Sequence, residues 1–263
     1  MPLALSFILL SEQAEPSESD IQDFVATNWP DLPAVNNFSA SEGSIAFDIG
    51  GSQVALGIMP APFPWSDLEG PCATSILWKD AEIAVKAHKA HIIVTVKGEL
   101  EPIELSKILT QVTAATIHAT ATALGVYWGN ATLLIPKAIF NDFAVEILPN
   151  EPPLHIWVDF RVGSNENGLT SGFTTGMDAL GHMEFETDNC PETPGELRER
   201  FLTLCSYVIE NGPVIRDGNT VGANAEEKIH VVYSKSKFGC KGKVMRLVYE
   251  TSQSKKFKWK FWS

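Results

Sequence analysis

The chain predicts an α+β fold with mixed or antiparallel sheets and packed helices, compatible with two ferredoxin-like halves. Short runs of alternating or continuous apolar residues, the mark of strands, recur between segments whose apolar residues repeat every three or four positions, the mark of helices. Glycine and proline clusters separate the two kinds of run. The opening order is strand, helix, strand, strand, the start of a sandwich in which helices cross one face of an antiparallel sheet. With 263 residues, 44% of them hydrophobic, the chain is long enough for one large domain or two small ones. No low-complexity linker interrupts it, so one unit over residues 1–263 is expected, with a weak internal boundary near 149–153.

The elements follow in order. "LALSFILL" (3–10) reads as a first strand and not as a leader, because no basic residues precede it and Ser6 interrupts it. Residues 17–29 read as a helix with an acidic, polar start and an apolar face of Ile21, Phe24 and Val25. "SIAFDIGG" and "QVALGIMPAP" are two strands joined at Gly50, Gly51 and Ser52, a hairpin. Pro60, Pro62 and Pro64 impose a loop, after which a helix is expected from near Pro71 or Ala73, with Leu77, Ala81, Ala84, Val85 and His88 on one face. "HIIVTV" (91–96) is a strand apolar on both faces.

The longest helix follows, with Leu105, Ile108, Leu109, Val112, Ala115 and Ala119 along one side, an uncharged Ala/Thr-rich second half, and Gly125 placed as its C-cap. "ATLLIP" is a short strand, "KAIFNDFAVEIL" an amphipathic helix, "LHIWVDFRV" a strand, and "GFTTGMDALGHMEFETD" holds the next one. The last helix is the best marked: Thr193 and Glu196 form a capping box, Pro194 sits in the first turn, and Gly212 follows the end. Leu197, Phe201, Cys205, Val208 and Ile209 form its buried stripe. "KIHVVYS" and "VMRLVYET" are closing strands. The terminal "KKFKWKFWS" alternates lysine with Phe257, Trp259 and Phe261, a pattern that suits an edge strand or a binding tail.

Charge narrows the partners. The chain carries 20 basic and 32 acidic residues, a net charge of -12, yet from Lys235 onward nine basic residues face one acid, Glu250. That end is +8 and the remainder -20. An acidic body repels nucleic acid and anionic lipid, so neither is expected as a partner, whereas a basic protein is. No run reaches the roughly 20 apolar residues of a membrane span. Cys72, Cys190, Cys205 and Cys240 are widely spaced with no CxxC pair, which fits reduced thiols in a cytoplasmic protein.

Candidate chemistry is sparse. His88 and His91 lie three apart at a helix end, a spacing for two metal ligands or for packing and capping. "GHMEFETD" puts His182, Glu184 and Glu186 on one side of a strand, an acid/base or metal-ligand set if the protein is an enzyme, with His155 and Asp159 on a neighbouring strand; a solvent-facing strand side looks the same. G-x-S-x-G, P-loop, G-x-G-x-x-G and H-E-x-x-H signatures are all missing, and no cofactor is implied. Trp65, Asp67, Tyr127, Trp128 and Trp259 are the candidate protein-recognition set, since Trp and Tyr dominate interface hot spots.

Five stretches taken together, "PWSDLEGPCATSILWKDA", "HKAHIIVTV", "LTQVTAATIHATATALGVYWGNATLL", "GFTTGMDALGHMEFE" and "DGNTVG", resemble the bacterial domain of unknown function family 4261, from about Pro60 to Val244. The resemblance carries over no catalytic residue. It implies an association with bacterial toxin and immunity gene neighbourhoods, including those of polymorphic toxins. The basic aromatic end beyond Thr251 departs from it. The function expected is a cytoplasmic immunity-type protein that neutralises a toxin enzyme by direct binding. Its rivals are a metal-assisted or acid/base enzyme built on the His/Glu strand cluster, and a structural or scaffold protein.

Overall fold

A computed structural model describes residues 2–224 and 226–249; the terminal "KKFKWKFWS", with Trp259, lies outside the described residues. The chain forms two compact units, one running to Asp159 and taking back Ala179–Gly181, the other made of Phe160–Asp178 and the chain from His182. The division follows Asp159, a few residues beyond the 149–153 stretch.

The first unit opens with β1 (Leu3–Leu10), α1 (Glu18–Asn28), β2 (Asn36–Ser41), β3 (Ser44–Ile49) and β4 (Ser52–Met59). It continues with α2 (Trp65–Ala73), α3 (Ala81–Ala87), β5 (Ala90–Lys97), α4 (Pro102–His118), β6 (Ala123–Trp128), β7 (Leu133–Pro136), α5 (Lys137–Asp142) and α6 (Leu154–Trp157). Its seven strands run in the order β2-β3-β4-β5-β1-β6-β7, every paired neighbour antiparallel. Within that sheet β1, α1, β4, β5, α4 and β6 make the expected ferredoxin-like sandwich, with the β2-β3 hairpin added at one edge and β7 at the other. Gly50 and Gly51, at φ +55° and +76°, form the tight β3-β4 turn that alternating apolar strands need. β1 and β5, central in the sheet, bury Ile8, Leu9, Leu10, Ile92, Val94 and Val96 completely.

The Ala/Thr half of α4 is enclosed as its lack of charge implies. Thr110, Thr113, Thr116 and Thr120 each donate a hydroxyl proton to the carbonyl four residues back, at 2.6–2.8 Å. Thr110 Oγ1 also accepts from Trp157 Nε1 at 2.8 Å. Thr113, its own proton spent on Leu109, accepts from Ser6 of β1 at 2.7 Å.

Three local expectations are corrected. The single helix expected from near Pro71, with Leu77 to His88 on its face, is two: α3 holds Ala81, Ala84 and Val85, and α2 begins earlier, at Trp65, where Pro64 presets the entry and Asp67 complements the first turn, with Pro71 inside it. Proline lacks the N–H for the next helical bond, and α2 stops two residues later. Residues 123–128 are a strand, so Gly125 is no helix cap: a Cβ there would sit 2.5 Å from Ile135 O and 2.5 Å from the Trp78 ring. Leu154–Trp157 is a helical turn with Ile156 and Trp157 both buried, so the strand begins only at Asp159 and His155 is not on it. β2, polar and largely exposed, was too weakly patterned to be foreseen.

The second unit contains β8 (Asp159–Ser164), β9 (Thr170–Thr175), β10 (Phe185–Cys190), α7 (Pro194–Asn211), β11 (Thr220–Val221), β12 (Ile229–Lys235) and β13 (Lys243–Val248). The sheet order is β11-β12-β13-β10-β9-β8, mixed because β10 and β13 pair in parallel. α7 carries the expected capping box and lays Leu197, Phe201, Cys205 and Val208 against the sheet. Gly212, at φ +77°, ends it. All four cysteines are free, and among the described residues no helix is long and apolar enough to cross a membrane. The two units together give the α+β architecture, one sheet antiparallel and one mixed.

Candidate functional site

The carboxylates singled out in the second unit are tied into its interior. Glu184 precedes β10 and is 6% exposed; Thr174 Oγ1 donates to it at 2.7 Å, and the backbone N–H groups of Gly176 and Asp178 at 2.8 and 3.2 Å. Burial raises its pKa despite those hydrogen bonds, which favour the anion. Glu186 is fully buried and accepts from Arg246 Nε at 2.9 Å, from the second guanidinium nitrogen at 2.5 Å, from Ser236 Oγ at 2.8 Å and from Lys237 N. His182 is half-buried, with its pKa lowered by burial, and its backbone N–H donates to Met177 O. Among the described residues no three His, Cys, Asp or Glu side chains stand grouped as metal ligands. Beside the carboxylates, burial raises the thiols of Cys205 and Cys240, with Glu184 adding to both. Neither sulfur is an activated nucleophile.

In the first unit His88 and His91 both hold the proline-rich loop. His88 Nε2 accepts from Phe63 N at 2.7 Å, which leaves Nδ1–H for Val85 O. His91 Nδ1 donates to Ala61 O at 2.8 Å and meets the Phe63 ring edge to face. Period-two geometry splits the aromatic candidates. Tyr127, 9% exposed, faces a cluster with Leu9, Leu68, Phe7, Phe63, Trp65 and Trp78, whereas Trp128, 3% exposed, packs on Phe140. Trp65 is half-buried with Lys86 Nζ 4.6 Å over its ring. Asp67 is exposed and close enough to add to the raised pKa of Tyr127, whose larger cause is burial.

A groove of about 1130 Å³ runs along α7 in the second unit, which the sequence reading missed. Its floor is Leu204, Tyr207, Val214, Ile215 and Val221. Tyr207 and Val214 leave 47% and 44% of their surface open, unusual for large apolar residues facing one concavity. The signal was present in α7, where Tyr207 falls outside the buried stripe of Leu197, Phe201, Cys205 and Val208. Glu196, Glu199 and Arg200 form the rim.

The groove is built to hold its shape. Arg200 donates to Glu192 at 2.6 Å and to both Glu227 oxygens at 2.8 and 3.2 Å. Burial opposes its charge, but the two carboxylates outweigh burial and raise its pKa. Glu227 also accepts from Ala223 N at 2.6 Å, and this contact first, then Arg200, lowers its pKa. The 220–227 wall is thereby clamped to α7. The opposite wall is fixed by Tyr233, whose hydroxyl donates to Ile215 O and whose N–H donates to Asp217 at 2.8 Å. With Arg200 neutralised by two carboxylates, the open rim charge is acidic, from Glu196 and Glu199.

The groove lies inside the part of the chain that matches a known family. Residues 173–248 match the family model of a domain of unknown function, DUF4261. This confirms the family resemblance over 173–248, within the longer span read from the sequence. The matched segment starts in β9 and closes with β13, so it includes all of α7 and both groove walls. No curated protein and no solved structure matches the chain.

Proposed function

We propose that this is a binding protein that takes a basic, apolar segment of a protein partner into the α7 groove, in the form expected from the sequence, an immunity-type protein that neutralises a bacterial toxin by occupying it. The observation that carries the reading is the preformed groove, with Tyr207 and Val214 open on its floor and Glu196 and Glu199 on its rim. The charge of -12 supports it, because an acidic body draws a basic partner in and orients it before contact. The internal engagement of Glu184 and Glu186 supports it as well, since neither carboxylate has an oxygen without a protein partner.

The test is co-expression with the product of the adjacent reading frame. Wild-type protein is expected to relieve that product's toxicity and to bind it in a one-to-one complex by calorimetry; Tyr207→Glu and Val214→Glu, which place a charge on the apolar floor, are expected to lose both. Equal protection by these variants, or no heat of binding with wild type, rejects the reading.

A further inference from the structure

The chain holds two Asn-Gly pairs, at Asn167 and Asn211, and one Asp-Gly pair, at Asp217, and all three side chains are exposed. In such a pair the glycine nitrogen, unhindered by a side chain, attacks the side-chain carbonyl carbon of the residue before it, which makes asparagine thermolabile there. We propose that Asn211 is a site of spontaneous covalent modification, converted to aspartate and isoaspartate by Gly212 N, while the fold holds the other two pairs back.

Open space surrounds all three glycines, so hydrogen bonding is what separates the pairs. Gly168 N donates to Asn165 O at 3.0 Å in the β8-β9 turn, where Asn165 Oδ1 also accepts from Asn167 N and Leu169 N at 3.0 and 3.1 Å. Gly218 N donates to Val231 O at 2.9 Å, and the Asp217 carboxylate is itself engaged by Tyr233 N at 2.8 Å. At both places attack requires the nitrogen to give up its acceptor first. Among the described residues no hydrogen bond holds the Gly212 N–H, which follows the last residue of α7 where a φ of +77° turns the chain off the helix.

In the reaction Gly212 N bonds to Asn211 Cγ, the Cγ–Nδ2 bond breaks, and Nδ2 leaves as ammonia with the proton of the glycine N–H. Water then opens the cyclic imide. Attack at the former side-chain carbon gives aspartate; attack at the main-chain carbonyl gives isoaspartate, with one more methylene in the backbone between α7 and Val214. Either product puts a carboxylate where Asn211 Nδ2 now donates to Tyr207 O at 2.9 Å. A carboxylate cannot donate, and its charge falls at the negative end of the helix, so the turn that carries Tyr207 loosens.

The experiment keeps the full chain at mildly alkaline pH over days, folded or in concentrated urea, and follows the tryptic peptides 201–216, with Asn211, and 162–198, with Asn167, by mass spectrometry. Isoaspartate is scored in parallel with isoaspartyl methyltransferase. In the folded protein Asn211 is expected to convert about ten times faster than Asn167, the factor that one retained hydrogen bond supplies. In urea the two rates are expected to converge. Asn211→Gln, which would need a larger ring, is expected to leave peptide 201–216 unconverted. Equal rates in the folded protein, a faster Asn167, or a folded Asn211 that stays intact while the urea-treated one converts overturns the proposal. No partner enters these measurements, so their outcome is separate from that of the binding function.

Discussion

Polar side chains sealed inside the first unit are, among the described residues and apart from Asp159, hydroxyls and imidazoles, Ser6, Thr110, Thr113, Thr116, His88 and His91 among them. The second unit, besides the hydroxyls of Thr170, Thr174 and Thr187, seals in two carboxylates, Glu184 and Glu186, with Arg246 against the deeper one. A hydroxyl on a helix satisfies itself on the carbonyl one turn back, and its enclosure needs nothing from elsewhere in the chain. An ionised carboxylate cannot be enclosed that way. Glu186 draws Arg246 from β13, and Ser236 and Lys237 from the segment after β12. The comparison teaches that the first unit is held by shape and the second by connected charge, so the two respond to different insults.

Glu186→Ala should cause the largest loss, about 3 kcal/mol, because it strands the Arg246 guanidinium in a mostly enclosed site. Urea denaturation measures this, and replacing both partners together, Glu186→Leu with Arg246→Met, is expected to recover most of the loss. If the double variant is as weak as the single one, connected charge is not what holds the second unit. In the first unit the matching insult is steric: Gly125→Ala forces a methyl group against Ile135 O and the Trp78 ring, at a cost of about 2 kcal/mol. A stability within error of wild type would show that Trp78 has room to move.

Thr193→Ala, which removes the hydroxyl of the α7 capping box, is expected to cost about 1 kcal/mol by the same measurement. A subtler effect is one of pH. Burial raises Glu184 in the folded state, so the neutral carboxyl favours folding. That contribution is complete below the ordinary carboxylate range and is lost as pH rises through the raised folded value. As pH rises from the ordinary carboxylate range through the raised folded value, wild type should therefore lose stability relative to Glu184→Gln, which does not titrate. Parallel melting temperatures for the two across that range would contradict the buried carboxyl. Smallest of all is Glu82→Gln, which breaks an exposed pair with Lys86; its denaturation curve should overlay that of wild type.

Much of this architecture was legible because local chemistry and global fold agree. The Thr193-to-Glu196 box, the Gly50-Gly51 turn, the apolar run of β5 and the uncharged half of α4 each carry a signal that tertiary context reinforces. Where reading failed, a residue served a distant neighbour. Gly125 looked like a helix end and is a gap left for Trp78, which lies 47 positions away. Proline punctuation around 60–71 suggested a loop, but Pro64 sits where a helix start tolerates it. Period-two spacing put His182, Glu184 and Glu186 on one side of a strand, but β10 begins only at Phe185, and Glu184 and Glu186 answer Thr174 and Arg246, partners no spacing rule connects to them. The groove escaped because its walls come from α7, the loop after Gly212 and the chain around β11, and only the open Tyr207 betrays it in one dimension.

Three threonines of α4 and Thr120 just beyond its end set unequal limits on how this helix can drift in sequence. Thr116 and Thr120 bond only to their own helix, so valine or alanine can replace either with little more than a local rearrangement. Thr110 and Thr113 each answer a second group, the Trp157 indole and the Ser6 hydroxyl, and are free to change only if those residues change with them. Among related chains, two positions on one helix face should then vary alone and two should vary in pairs, a pattern of substitution fixed by which hydroxyl has a second listener.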